Sequence, residues 1–262
     1  MALVVAVIAV LGYFGTSTFN PITEEKQHVA GITPEQEVAL GLQAAPEMVQ
    51  QFGGLDPDPE AQALVSRVGE RLVSRTAAAQ SPYQFEFHLL DDAETINAFA
   101  LPGGQVAITE GLLRRLESEG QLAGVLGHEI GHVVARHGAE HIAKQQLTEG
   151  LTGAAVLATY DPNDPSSRTS AAVAAMIGQL VNMRFGRQDE LESDDLGVRF
   201  ASEAGYDPRS MIGLMKILGQ SSEGGRPPEF FSTHPNPENR IARIEAAIQR
   251  RFPDGVPAGL EK

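Results

Sequence analysis

Residues 122–137 read LAGVLGHEIGHVVARH. Within them HEIGH, residues 128–132, is a His-Glu-x-x-His pattern in a stretch that predicts a buried helix. Leu122, Val125, Leu126, Ile130, Val133 and Val134 cover much of that helix's surface, and Ser118 with Gln121 forms a capping box at its start. His128 and His132, four apart, lie one above the other on one helix face, so both imidazoles can point at one ion. Glu129 is turned about 100° round the axis from His128, beside that face, within reach of a water on the ion. Two imidazoles and a carboxylate are costly to bury unless something partners them, and a metal does so. The pattern is that of a zinc hydrolase, in which metal lowers the pKa of water and the carboxylate takes its proton.

Composition narrows the setting. The chain has 262 residues, enough to bury a sizeable core. Its 20 basic and 34 acidic residues give a net charge of −14, which argues against nucleic acid as a partner. There is no Cys, so any metal must be held by His and carboxylates.

Taken in order, residues 1–15 are apolar without a break, and the first charge is Glu24. Read as helix, residues 1–19 reach about 28 Å, enough for a thin bilayer, and a signal-like segment is the competing reading. The acidic residues that follow favour a body on the outer side. Residues 20–55 read as a linker and an N-terminal helix, capped by Thr33-Pro34-Glu35-Gln36 and stopped by Gly53-Gly54. A main domain over 56–252 opens with a helix from Asp58-Pro59 to about Ala79. The alternating Tyr83–Leu90 predicts a half-buried strand, its polar face leaving His88 exposed, and two short strands flank Pro102-Gly103-Gly104. The HEIGH helix is expected to continue through Gly138 to about Gln146. His137 and His141 form a second pair four apart, with no completing carboxylate pattern, so solvated surface or support of the first pair is expected. Residues 148–182 read as two apolar helices about a polar loop, and 253–262 as a flexible tail.

A catalytic zinc takes three protein ligands and water. Ala135 and Gly138 exclude the metzincin pattern, so the third ligand is sought on a later helix, at 187–206. Glu190, Asp194, Gly197 and Ala201 share one face of it, with small residues that permit close approach to the HEIGH helix. Glu192, Asp195, Arg199 and Glu203 form a charged, solvated face, with Asp195 and Arg199 at pairing distance. Glu190 is therefore the ligand candidate, and Asp194 is placed to accept a hydrogen bond from a ligand His.

NAFALPGG (97–104), HEIGHVVARH (128–137), ELESD (190–194), AGYDP (204–208) and STHPNPENRI (232–241), taken together, resemble the gluzincin metallopeptidases grouped as family forty-eight. That family includes CaaX prenyl proteases, HtpX-like proteases and bacterial envelope quality-control proteases. The resemblance implies an α+β fold, a mainly helical zincin-like domain with a small sheet edging the cleft. It implies one zinc ion on His128, His132 and Glu190, Glu129 as catalytic base and Asp194 as a functional acid near the metal. It sets the strand of Asn97, Ala98, Phe99, Ala100, Gly103 and Gly104 along the substrate, and the Thr233-His234-Pro235 segment near the metal. Ser193 stands where Ala is commoner, and the multi-span body of the prenyl proteases is absent. His234 and Arg240, at the entry of a last helix capped by Asn236-Pro237, stabilise an oxyanion, or His234 covers the open metal position, or they are only a helix-start histidine and a salt-bridging arginine.

The expectation is a zinc endopeptidase of the bacterial cell envelope, anchored through residues 1–19 with its catalytic domain on the periplasmic or extracytoplasmic side. It would act on extended, unfolded or misassembled proteins that add by backbone hydrogen bonds to the strand Ala98–Leu101 or to Gln105–Thr109. A metal-stabilised, chaperone-like binding module is the rival, and a hydrolase of small molecules a further one.

Overall fold

A computed structural model of the chain describes residues 17–29, 31–149, 178–220, 228–235 and 239–262. Strands β1 (Ser17–Asn20) and β2 (Glu25–His28) form an antiparallel hairpin. Helix α1 (Pro34–Gln51) starts on a full capping box, Thr33 and Gln36 each accepting the other's backbone N–H, and stops before Gly53 and Gly54, both at positive φ. Helix α2 (Pro59–Ser74) starts on Asp58 and packs Val65, Val68 and Leu72 into the core. It then gives way to a separate 3₁₀ turn, Ala77–Gln80, instead of running on to Ala79.

The main sheet holds β3 (Glu86–Leu90), β4 (Ala98–Ala100) and β5 (Gln105–Thr109) in the order β3-β5-β4. Strand β5 is parallel to β3 and antiparallel to β4, and all five of its residues are buried. The outer side of β3 is closed. The Asp56 N–H donates to Leu89 O, while the Gln62 amide donates to Phe87 O and accepts from the Leu89 N–H. His88, expected on an exposed face, is half-buried with Nε2 2.9 Å from Gln105 Oε1.

Thr109 caps the single turn α3 (Glu110–Leu113), and α4 (Glu119–Val134) follows. Every residue of α4 from Gly120 to Val134 is buried, so this helix is covered all round as the centre of the domain. Ser118 caps it by accepting from the Gln121 N–H, but the Gln121 side chain accepts from Glu117 rather than Ser118.

The expected continuation of α4 is broken. Arg136 adopts φ 59°, and α5 (His137–Glu149) starts afresh. A residue with a side chain in that region costs on the order of 1–3 kcal/mol unless its surroundings enforce it. Here they do. Arg136 bonds the buried carboxylate of Glu37, at 2.7 Å from Nε, and donates to Ile32 O. Burial raises the Glu37 pKa and the Arg136 charge opposes that rise. Asn20 donates to Val134 O and Gln27 to Ala135 O. The β1–β2 hairpin, read from sequence as the end of an apolar segment and a linker, therefore caps the C-terminal end of α4.

Helix α6 (Arg187–Glu203) lies against α4 at the distance that glycine permits. A Cβ on Gly127 would sit 3.4 Å from the Gly197 backbone, and one on Gly197 would meet the His128 nitrogen at 3.2 Å. Gly131 abuts Ser193 in the same way, at 3.1 Å. Extra atoms in such a seam cost roughly 1–3 kcal/mol. On the outer face of α6, Arg199 pairs with Glu203 and Asp195 with Arg250, not with each other as expected. Helices α7 (Ser210–Gln220), α8 (Phe230–Thr233) and α9 (Arg240–Arg251) complete the α+β body, α9 burying Ile244 and Ile248.

Residues 253–262, expected as a flexible tail, dock at their end: Glu261 donates to Gly205 O and accepts from the Asp207 N–H, and its carboxylate pairs with Arg71. Residues 1–16 of the expected anchor, 150–177 of the Ala/Gly-rich stretch and the Asn236-Pro237 cap lie outside the described residues. Among the described residues no helix is long and apolar enough to cross a membrane.

Candidate metal centre

Three elements converge on one buried cluster. Helix α4 supplies His128 and His132, α6 supplies Glu190, and the residue after α8 supplies His234. Their ligand atoms all lie within 4.8 Å of one another. His128 Nε2 and His132 Nε2 are 3.0 Å apart, and each stands near one Glu190 oxygen, at 3.5 and 3.4 Å. His234 Nδ1 lies 3.4 Å from His128 Nε2 and 3.1 Å from Glu190 Oε1.

Tetrahedral zinc, with bonds of about 2.0–2.1 Å to nitrogen and oxygen, sets its donors about 3.3 Å apart. The measured spacings scatter round that value, so the residues fit a zinc ion. The unpartnered atoms agree. Both Glu129 oxygens are buried without a hydrogen-bond partner, the condition a cation and its water would relieve. Glu129 is fully buried, with Oε1 3.6 Å from His234 Nε2. Burial raises its pKa, while His234 and His128 pull the other way.

Supporting groups hold the cluster from behind. His128 Nδ1 is 2.9 Å from Asp194 Oδ1, and Arg240 grips the same carboxylate at 2.7 and 2.8 Å. Arg240 also reaches Glu190 Oε2 at 3.1 Å. Breaking a buried pair of this kind by deleting one partner costs about 3–5 kcal/mol. Arg240, one of the two cations considered for an oxyanion, is thus committed to the carboxylates beside the histidines. Burial opposes charging of His128, but Asp194 and Glu190 outweigh it and push its pKa up to about 9. Burial holds His132 well below the usual range. Burial works against a charged Glu190, yet His234, His128 and His132 keep it well below the carboxylate range. A metal entering this site must displace the His128 proton, so loading is favoured as pH rises.

The strand expected to line the cleft divides in two. Ala98, Phe99 and Ala100 share a small apolar cavity with Leu180, Phe185 and His234. Asn97 is buried, its Oδ1 accepting from the Ala98 N–H and lying 3.4 Å from Thr233 Oγ1 beside His234. Gly103 and Gly104 do not join this group. A Cβ on Gly103 would strike the Val38 backbone at 2.3 Å and one on Gly104 would meet Gln84 O at 2.7 Å, so both serve packing at positive φ.

With this geometry the comparisons with known proteins agree. Residues 59–248 match the family described as Peptidase family M48.

The chain belongs to peptidase family M48.

The first relatives include the beta-barrel assembly-enhancing protease of Escherichia coli (strain K12), 37% identical over 215 residues, covering 77% of this chain and 42% of that protein. The mitochondrial metalloendopeptidase OMA1 of Schizosaccharomyces pombe is 32% identical over 245 residues, covering 89% of this chain and 67% of its own. The chain spans less than half the length of the assembly-enhancing proteases that it matches. Family and relatives are peptidases, in keeping with what the motifs implied.

Two residues of this M48 site escaped the sequence reading. Phe185 stacks on His132, with ring centroids 3.8 Å apart, and Phe230 stacks on His234 at 4.5 Å. Neither lies in a periodic pattern that would single it out.

Proposed function

We propose that this chain is a zinc-dependent endopeptidase that cuts extended, unfolded or misassembled proteins of the bacterial cell envelope. The observation that carries the reading is Glu129, a fully buried carboxylate with no partner on either oxygen, beside three donors spaced for zinc. A metal-stabilised binding module that cuts nothing has no use for such a group. The envelope setting is supported by the apolar run at residues 1–15 and by the β-barrel assembly role in the name of the Escherichia coli relative.

His128, His132 and Glu190 would hold the ion, which when bound lowers the pKa of a water and polarises the scissile carbonyl. Asp194 accepts the Nδ1 proton of His128 and so leaves the Nε2 lone pair for the ion. Arg240 neutralises Asp194. Glu129 takes the proton from water and returns it to the leaving amine. The edge of β4 offers backbone groups to an extended peptide, next to the small apolar cavity at Phe185.

The zinc-loaded protein should digest casein, stop on chelation and recover on adding zinc. Digestion that survives chelation would overturn the reading.

His234 stands where a fourth donor would, which supports a covering role over a catalytic one. His234→Ala is then expected to raise the rate of casein cleavage severalfold, read against wild type at equal zinc content. A plain loss of activity would assign His234 to the reaction instead.

A further inference from the structure

His137 was expected on the surface or in support of the ligand pair, and the structure buries it against His132. In an unbroken helix it would sit five positions beyond His132, about 140° round the axis, and would face away. The left-handed turn at Arg136 brings it back. His137 Nδ1 then lies 2.9 Å from His132 Nδ1, with the rings at 71°. On its other side, His137 Nε2 is 3.2 Å from Glu192 Oε2, and Ser193 Oγ stands 3.4 Å from Nδ1.

Two facing ring nitrogens at this distance need one proton between them. His132 must keep the Nε2 lone pair if it is to bind metal, so that proton belongs on its own Nδ1. His137 therefore accepts at Nδ1 and carries its proton on Nε2, where the Glu192 carboxylate receives it. We propose that His137 is a positioning residue of the metal centre, whose Nδ1 accepts from His132 and so fixes the tautomer and ring orientation of that ligand. The Arg136 turn, held by Glu37, Asn20 and Gln27, exists to deliver it. This inference rests on the metal-site reading above.

The two ligand histidines are thus held unlike each other. His128 leans on a carboxylate that Arg240 grips. His132 leans on an imidazole and is covered on its face by Phe185.

The test is zinc affinity, read by competition with a chromophoric chelator at fixed pH. His137→Leu should weaken binding about 10–100-fold, the usual effect of losing a ligand's hydrogen-bond partner. His137→Asn, whose Oδ1 replaces the Nδ1 acceptor, should recover most of that loss. Equal weakening in both variants would reduce His137 to packing and overturn the proposal, as would unchanged affinity in the Leu variant. A measurement on the wild type needs no variant to fold. In the zinc-loaded protein, long-range nitrogen–proton NMR should show His137 protonated on Nε2, and protonation on Nδ1 would overturn the assignment. If the wild type binds no zinc, the metal-site reading itself fails. If it binds zinc and the histidine results go the other way, only the present inference fails.

Discussion

Glu129→Gln is expected to bind zinc as tightly as the wild type and to cleave casein about 10²–10⁴-fold more slowly, the span that a lost general base commonly costs. The substitution keeps the shape of the side chain and removes its basicity. Little of the fold depends on the charge, since neither oxygen of Glu129 has a hydrogen-bond partner and burial already raises its pKa. Metal content, unfolding temperature and cleavage should be read on the same preparation. A Gln variant that still cleaves within tenfold of wild type would remove Glu129 from the reaction and with it the main support for an endopeptidase.

The second large effect separates two glutamates on one helix. Glu190→Ala should abolish stoichiometric zinc, while Glu192→Ala should keep it. Glu190 is fully buried and touches His128, His132, His234 and Arg240. Glu192 is part-exposed and meets the cluster only through His137, so its loss is expected to weaken zinc by no more than about tenfold, at the low end for a group behind a ligand. Metal analysis after dialysis decides between them. Zinc retained by Glu190→Ala and lost by Glu192→Ala would overturn the ligand set. The Ala variant at Glu190 should also be less stable without metal, because Arg240 and the histidines lose a buried counter-charge.

Much of the fold and site could be read because it follows from local rules. The HEIGH helix carries apolar residues on most of its surface, and the spacing of Glu190, Asp194, Gly197 and Ala201 names the face that meets it. Glycine at 197 announces a close contact, and the structure supplies Gly127 opposite. The unread part depends on distant partners. Arg136 carries no turn signal of its own, and its left-handed conformation is enforced by Glu37 and Ile32, about a hundred residues earlier. Hence a continuous helix was expected, and His137 was set apart from the ligands. The hairpin at 17–28 was missed for the same reason: Asn20 and Gln27 find their partners at Val134 and Ala135. The tail looked unstructured because its anchor is backbone pairing with Gly205 and Asp207, which composition cannot show.

The closed side of β3 bears on how copies of this protein behave in a crowded solution. An unpaired strand edge is sticky toward any other edge, including that of an identical molecule. Two open edges per molecule would allow head-to-tail addition without limit, the route to fibres. With Gln62 and the Asp56 segment saturating one side, the main sheet offers, among the described residues, a single edge at β4. Pairing through it ends at two copies, because each molecule then has no main-sheet edge left to extend the ladder. Closing β3 in this way removes one of the two sides from which a ladder could grow on the main sheet.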